Sequence, residues 1–321
     1  MRTPLVSFVM PVYNDEQNVA RCLQSIKNQL FPGPDVELLV LDNGSTDGTP
    51  AILKDMGIPF HVVSNIHVSG LRNYGASMAH GEFLAFVDSD VEISPQWLNN
   101  ALAVLNDHNI VACGCFPEVP PQATWVQQTW DLHQRSRHNQ SGTVPVSWLP
   151  SMNLMVRSET FHKIGGFNDS LETAEDVDLC YRLGQHGTIL NHPGMQAVHW
   201  GEAKDIATFW RKEVWRGMGN LAGVFSHGLR RDELPSLLYP LYIICVMFLI
   251  IVGCIVDVTR GEIFWMSWGV GILSLPALIL ALNTTRMSQK VSFLPSLFGL
   301  YFVYGLARAT SVLKASLLPL K

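Results

Sequence analysis

The sequence predicts an α/β domain on a mainly parallel central sheet, followed by C-terminal transmembrane helices. Three observations carry that expectation. Apolar runs of strand length alternate with amphipathic helical stretches through residues 4–115, the pattern of a parallel sheet covered on both faces. Only 15% of the 321 residues are charged, against roughly 25% in ordinary soluble domains. That deficit is local: residues 1–203 carry a net charge of −11, residues 204–235 +2 and residues 236–321 +4. The expected division is a folded domain over 1–203, a basic aromatic juxtamembrane segment over 204–235 and a membrane domain over 236–321. An acidic front domain lacks the basic stripe of a nucleic-acid-binding protein, so no nucleic acid partner is expected. The aromatic and aliphatic content excludes simple disorder.

Residues 5–10 form an unbroken apolar run that reads as a buried strand and stops at Pro11. Val19, Leu23 and Ile26 recur at helical spacing and predict a helix over 16–29. Residues 36–41 are a second buried strand, closed by the turn-forming pair Asn43-Gly44. A short helix over 49–56, a strand over 60–63 and a helix over 69–79 follow. Residues 83–87 are another buried strand; Ser94-Pro95 opens a helix to Leu105, and 110–114 completes the series. In such sheets ligands bind outside the carboxyl ends of the strands, so chemistry is expected just after each strand. After the first strand stands Pro11-Val12-Tyr13-Asn14-Asp15, which is not G-x-G-x-x-G, and no G-x-x-x-x-G-K-[ST] occurs anywhere. Dinucleotide oxidoreductases and P-loop nucleotidases are thereby disfavoured.

Residues 237–256 and 263–285 are free of charge for 20 and 23 residues, enough to cross the hydrocarbon core. Residues 291–307 are also uncharged, so a third helix over about 291–313 either spans or lies in the interface. No secretory signal peptide is expected, because the first apolar run ends at Pro11 with no small-residue cleavage pattern after it. Arg230 and Arg231 precede the first span, and Arg286 and Lys290 follow the second. The positive-inside rule then places the front domain in the cytoplasm of a multi-pass inner or plasma membrane protein. The six cysteines show no disulfide or zinc spacing and read as packing residues in a reducing compartment.

Candidate functional residues lie at the strand ends. The first end offers Tyr13, an aromatic suited to a flat base, with Asn14 and Glu16; Asn14 or Asp15 caps the next helix. Asp42 follows four apolar positions directly, where a carboxylate should meet a donor. Arg72 opens a predicted helix, a position unfavourable to a cation, and so is expected to hold an anion. Val87-Asp88-Ser89-Asp90 places two carboxylates at i and i+2 of an extended segment, facing one point. Two such anions repel, so one is protonated unless a cation shares the site, and Mn²⁺ or Mg²⁺ takes oxygen ligands together with substrate phosphates. Glu175 and Asp176 open a further helix, either as part of a capping box with Thr173 or with one carboxylate acting as a general base. His199, at the end of an apolar strand, is either a structural imidazole or a metal ligand.

Together, the segments from Val9 to Asn14, Asp42-Asn43-Gly44-Ser45-Thr46-Asp47-Gly48-Thr49, Gly70-Leu71-Arg72-Asn73-Tyr74-Gly75, Phe86-Val87-Asp88-Ser89-Asp90, Gly165-Gly166-Phe167 and Glu175-Asp176-Val177-Asp178-Leu179 resemble glycosyltransferase family 2. These are the GT-A-fold nucleotide-sugar transferases, and the resemblance covers about residues 5–225. It implies a hexosyltransferase that binds the donor through Pro11, Val12, Tyr13, Asn14, Glu16, Asp42, Arg72, Asp88 and Ser89. It further implies metal ligation by Asp88 and Asp90 of the D-x-D motif, with His199 as a third ligand, and base catalysis by Asp176 with Glu175 beside it. Asn43 departs from the more frequent second aspartate. The Q-x-x-R-W segment of the family's processive polymerases is missing from Trp210-Arg211-Lys212-Glu213-Val214-Trp215-Arg216.

The implied reaction is metal-dependent, inverting transfer from a nucleoside diphosphate sugar, with UDP-sugars favoured and GDP-sugars the alternative. The basic and aromatic residues of 204–235 suit a helix at an anionic lipid surface, so the expected acceptor is a membrane-associated, lipid-linked glycan in exopolysaccharide or cell-envelope synthesis. Direct transfer to polyprenyl phosphate is the alternative, and a catalytically silent membrane scaffold is the reading from another class. A transporter is disfavoured because Asp257, the acid of the spans, lies at an end. Ser151-Met152-Asn153 and residues 127–137 are expected on the acceptor side. Nothing in the sequence sets the oligomeric state.

Overall fold

The computed structural model describes residues 4–29, 36–138, 142–171, 173–218, 234–261 and 263–317. At its centre is strand β1 (Val6–Val12), every residue of which is buried. It pairs in parallel with β2 (Val36–Asp42) on one side and β4 (Phe83–Val87) on the other, and β3 (Phe60–Val62) continues the parallel ladder beyond β2. Val12 lies opposite Asp42, so the β1 and β2 ends, with the loops that leave them, sit level at one edge of the sheet. Helices α1 (Val19–Lys27), α2 (Thr49–Asp55), α3 (Val68–Met78) and α4 (Trp97–Leu105) connect these strands and β6 (Ile110–Gly114).

Alternation along β1 divides its side chains between two apolar layers. Val6, Phe8, Met10 and Val12 pack with Leu23 and Ile26 of α1 and Trp97 and Leu98 of α4. Val9 faces the other way, with Leu41, Leu71, Phe86, Phe161 and Phe167. The α/β class and the mainly parallel core are therefore as expected. α1 begins at Val19 rather than at Glu16, because Asn14 adopts φ +47° and the backbone carbonyl of Asp15, not a side-chain cap, receives the first helical N–H groups.

Beyond β4 the sheet becomes mixed. β8 (Asn153–Arg157) runs antiparallel between β4 and β6, β9 (Thr188–Asn191) is parallel to β6, and β7 (Val144–Pro145) closes the edge. β5 (Val91–Ile93) and β10 (Ala197–His199) form a separate antiparallel pair. Asn153, expected on the acceptor side, is instead fully buried. Its amide donates to the carbonyls of Cys115 (2.9 Å) and Met195 (3.1 Å) and accepts from Trp97 Nε1 (2.5 Å). Ser151 beside it is buried as well. The acceptor-side reading of this segment is corrected: its polar atoms serve the core.

The chain forms two compact units, residues 1–121 with 140–202, and residues 122–139 with 203–321. The first also contains α6 (Ser158–Lys163) and α7 (Glu175–Leu183). The second contains α5 (Trp125–His138), α8 (Ile206–Met218), α9 (Leu234–Arg260), α10 (Phe264–Ser288) and α11 (Leu294–Leu317). α5 lies within the stretch expected to form the front domain, yet its Val126, Trp130 and Leu132 pack with Phe209, Ala277, Ala281, Leu297, Leu300 and Tyr301. Among the described residues, three segments are long and apolar enough to cross a membrane: Ser236–Arg260, Ser267–Ser288 and Val291–Ala315. Residues 219–233 of the juxtamembrane stretch 204–235, including Arg230 and Arg231, lie outside the described residues.

Replacing Asn153 by alanine removes the partner of two buried groups, Trp97 Nε1 and the Cys115 carbonyl, and leaves the Met195 carbonyl with the Cys115 thiol alone. Asn153→Ala is expected to lose about 2–4 kcal/mol of stability, read as a lower denaturation midpoint of the front unit by tryptophan fluorescence. An unchanged midpoint would remove the amide from the core's support.

Candidate active site

The loops after β1 and β2 are laced together by hydrogen bonds. Asp42 is buried, and its Oδ1 accepts from the backbone N–H (3.0 Å) and hydroxyl (2.5 Å) of Ser45. Asn14 donates its backbone N–H to Ser45 Oγ (2.9 Å), while its Oδ1 accepts from the Thr46 N–H (2.8 Å). The Glu16 N–H donates to Asp47 Oδ2 (3.1 Å), and Glu16 Oε2 accepts from the Gly48 N–H (2.7 Å). A Cβ at residue 48 would lie 2.6 Å from that oxygen, so the lacing needs glycine there. Pro11 and Val12 are buried in β1. Tyr13, in contrast, is 59% exposed and presents an open aromatic face at the strand end. Asn43 donates its Nδ2 to the Ile66 carbonyl (3.0 Å), a bond that an aspartate at this position could not make.

The D-x-D segment is a tight turn rather than an extended one, since the Val91 N–H donates to the Asp88 carbonyl (3.0 Å). Its carboxylates therefore part. Asp88 Oδ1 takes Arg72 Nη2 at 2.6 Å, while Asp90 Oδ2 meets His199 Nε2 at 3.1 Å. Ser89 donates its hydroxyl to Asp15 Oδ2 (2.7 Å). Asp15, read from the sequence only as a cap, thus reaches the site. Burial raises its pKa, against the hydrogen bonds from Ser89 and Asn18. The available signal was its place two residues beyond Tyr13 at a strand end.

Arg72 spans from the D-x-D turn to α7. With its side chain 3% exposed, it holds Asp88 on one nitrogen and Glu175 Oε1 on the other at 3.0 Å. Burial works against its charge, but Asp88 and Glu175 more than compensate and raise its pKa. Its Nε is buried without a hydrogen-bond partner, an orphan donor at the centre of the site. Behind it lies the Phe167 ring, 5.5 Å from the guanidinium carbon. The Asn73 amide exchanges two bonds of 2.9 Å with the Phe167 backbone. Arg182 donates to the carbonyls of Ile164 (3.0 Å) and Gly166 (2.6 Å) while paired with Asp178. The Gly165-Gly166-Phe167 loop is thereby pinned as a backing for Arg72.

The capping box expected at Thr173 and Asp176 does not form. α7 starts from Ala174 at φ +64° without a side-chain cap, and Asp176 Oδ1 accepts from the Val177 N–H (2.8 Å). Burial, reinforced by the neighbouring Glu175 charge, pushes the Asp176 pKa up to about 7, with the Val177 N–H and Arg72 acting in the opposite sense. Of the acids in this first turn, Glu175 is bound to Arg72 and Asp178 to Arg182. Asp176 is the one tuned close to neutrality, the range that suits a general base.

His199 is brought to Asp90 by the β5–β10 pair, in which it lies opposite Val91. Glu202 Oε1 stands 3.3 Å from its Nδ1. Burial opposes protonation of the ring, but Asp90 and Glu202 raise its pKa to about 10. Trp200 is anchored by Glu92 (3.0 Å) and covered by the Arg21 guanidinium at 3.7 Å. A Cβ on Gly201 would fall 1.8 Å from Asp90 Oδ2. The space beside the carboxylate exists because residue 201 is glycine.

The donor set fits a hard divalent cation. Neighbouring ligand atoms around an octahedral ion with bonds of about 2.1 Å lie about 3 Å apart, and the Asp90–His199 separation is 3.1 Å. Glu202 on the far nitrogen is the usual orienting partner of a ligating histidine. Asp88 does not join this pair, because Arg72 holds it. Among the described residues no three His, Cys, Asp or Glu side chains are gathered into a metal site, and Mg²⁺-type ions commonly complete their shell with substrate phosphates and water.

Residues 7–165 match the family model described as Glycosyl transferase family 2. The chain is 28% identical over 191 residues to Glycosyltransferase AglE of Haloferax volcanii, across 57% of this chain and 62% of that protein. It is 35% identical over 119 residues to Putative glycosyltransferase EpsH of Bacillus subtilis, across 35% of this chain and 34% of that protein. The matches thus span about a third to under two thirds of these relatives' own length. Among solved structures, Mannosyltransferase PcManGT from Pyrobaculum calidifontis in complex with GDP-Man and Mn2+ shares the fold. Its TM-score is 0.61 at 15% identity, across 98% of this chain and 88% of that one.

Arg72→Lys keeps a charge but loses the fork that reaches two carboxylates at once. It is expected to lower sugar-nucleotide turnover by about 10- to 100-fold, measured as nucleotide release. Turnover within twofold of the parent would mean that the fork is dispensable.

Proposed function

We propose that the chain is a glycosyltransferase that moves a sugar from a nucleoside diphosphate sugar to a lipid-linked glycan, with a divalent cation and inversion at the anomeric carbon; the match of residues 7–165 to the Glycosyl transferase family 2 model and the GT-A-like fold support that reading. The observation that carries this reading is the Arg72 guanidinium between Asp88 and Glu175. It sets the turn suited to a donor diphosphate beside the helix start that bears Asp176. Tyr13 offers its open ring to the donor base, and the buried Asp42 anchors the laced loop beneath the ribose. Asp90 and His199 would hold Mn²⁺ or Mg²⁺, while Asp88 holds Arg72 beside them. When bound, such an ion supplies neutralisation of the diphosphate as the leaving group departs.

Asp176 takes the proton from the acceptor hydroxyl as that oxygen attacks the anomeric carbon from the face opposite the nucleotide. Glu175 positions Arg72 rather than moving a proton, because its carboxylate is already committed to that guanidinium. The three apolar helices support an acceptor carried by lipid. The placement of Arg286 and Lys290 after the second of them favours a cytoplasmic catalytic unit on a multi-pass protein. Exopolysaccharide or cell-envelope synthesis is the setting that these features suit best. Product analysis with a lipid-linked oligosaccharide against bare polyprenyl phosphate separates the two lipid acceptors.

A base must be unprotonated to act, and the Asp176 pKa is raised to about 7. Transfer is therefore expected to rise about tenfold per pH unit below about pH 7 and to level off above it. Asp176→Asn is expected to reduce kcat by about 10²- to 10⁴-fold while the donor still raises the melting temperature. Near-parental transfer by this folded variant would remove the base assignment. In a thermal-shift screen of UDP- and GDP-sugars, stabilisation is expected with Mn²⁺ and is expected to vanish with EDTA. A donor shift indifferent to EDTA would rule against the cation.

A further inference from the structure

The second unit buries a charged pair between α8 and α11. α8 packs along α11, and Glu213 of α8 is 1% exposed. Its Oε1 accepts from Arg216 Nη1 (2.8 Å), and its Oε2 accepts from Nη2 (2.9 Å) and Nε (3.2 Å) of Arg308. Arg308 lies 14 residues into α11, within a segment long and apolar enough to cross a membrane. An ionisable residue in such a segment is costly and marks function by default. Glu213 accounts for one edge of the guanidinium only. Arg308 Nη1 is buried without a hydrogen-bond partner.

A second orphan donor lies in the same cluster. Trp130 Nε1 on α5 is likewise buried and unpartnered. Both side chains pack on one ring: the Arg308 guanidinium carbon is 5.0 Å from the Tyr304 centroid, and the Trp130 ring is 5.6 Å from it. Buried polar groups are nearly always partnered, so each of these two orphan donors beside Tyr304 calls for an acceptor that the described residues do not supply. Both are donors only, so each needs an oxygen acceptor, and the guanidinium charge favours an anionic one. A guanidinium with one edge fixed by a carboxylate presents the other in the planar geometry that phosphate prefers. The setting on apolar helices selects a phosphate that carries hydrocarbon.

We propose that Arg308 and Trp130 form a binding site for the phosphate of a lipid, with Glu213 holding Arg308 in its presenting orientation. The choice of a lipid rests on the membrane and lipid-acceptor reading above; the site itself is separate from the donor, cation and base residues. The phosphate belongs either to a polyprenyl-type carrier or to a bulk anionic lipid, and both offer the same oxygens.

The test uses the full chain in phosphatidylcholine nanodiscs, with polyprenyl phosphate, unphosphorylated polyprenol and phosphatidylglycerol as probes in native mass spectrometry. The parent protein is expected to retain polyprenyl phosphate at least tenfold better than polyprenol. Removing Arg308 alone would strand the buried Glu213, so the variant is the pair Glu213→Gln with Arg308→Gln, which removes both charges together. That variant is expected to lose the preference, and Trp130→Phe, which keeps an aromatic ring at the contact, to weaken it several-fold. Competition by phosphatidylglycerol at equal affinity identifies a bulk headgroup site, and resistance to it identifies a carrier-lipid site; both support the proposal. No preference in the parent, or a full preference in a double variant that still gives the donor-induced thermal shift, overturns it. A parent that glycosylates only soluble acceptors yet keeps the Arg308-dependent preference sinks the lipid-acceptor reading and leaves this site standing. Transfer to a lipid-linked acceptor with a preference unaffected by the double variant does the reverse.

Discussion

A guanidinium removed from water stays charged at a desolvation cost that carboxylates offset, and Arg72 meets two that come from distant parts of the chain. Asp88 follows strand β4, and Glu175 opens α7, 87 residues later. Breaking such a pair by removing one partner is costly because it leaves an uncompensated buried charge. The three groups therefore act as a clamp on the two segments. Asn73, Phe167 and Arg182 stiffen that clamp from behind. The position of Asp176 at the start of α7, and the burial that raises its pKa, both follow from where Arg72 holds the helix.

The half of the fold nearest β1 was legible because its strands are short unbroken apolar runs and its connections are local. β8 was not. Asn153-Leu154-Met155-Val156-Arg157 begins with a polar residue whose partners, Trp97, Cys115 and Met195, are 56, 38 and 42 residues away. Its insertion between β4 and β6 is decided by those long-range bonds. α5 was misplaced for a related reason, since its apolar stripe does not reveal which unit it will join. Within the site, Asp42, Arg72 and His199 could be singled out because a charged or ionisable group at a buried strand end or helix start needs a partner. The parting of Asp88 and Asp90 could not, because it depends on one hydrogen bond that converts an extended segment into a turn. The engagement of Asp15 by Ser89 was hidden in the same way, being set by a contact across 74 residues.

The charge distribution of the sequence gains a physical meaning in the folded protein. The net −11 of residues 1–203 is concentrated in function at a few carboxylates, which are held by Arg72, Arg182 and His199 or tuned by burial. The charge-poor C-terminal quarter is apolar outward, with Phe248, Ile251, Ile255 and Ile279 exposed on its helices, as a helix surrounded by hydrocarbon requires. Against that background the buried Glu213–Arg308 pair stands out, because an apolar helix has no structural need for it. Chains of buried polar contacts such as His133–Tyr301–Thr284, at 2.6 Å each, run through the same unit and give its packing a defined register.

The central claim is a single-displacement transfer in which Asp176 activates the acceptor on the face opposite the nucleotide. The most direct measurement is the anomeric configuration of the product. The protein in nanodiscs would be given an α-linked nucleotide sugar, Mn²⁺ and a lipid-linked acceptor, and the anomeric proton coupling of the new linkage would be read by NMR. A β-linked product, with the configuration inverted, is the predicted result. An α-linked product, with the configuration retained, would contradict the single displacement and with it the role assigned to Asp176.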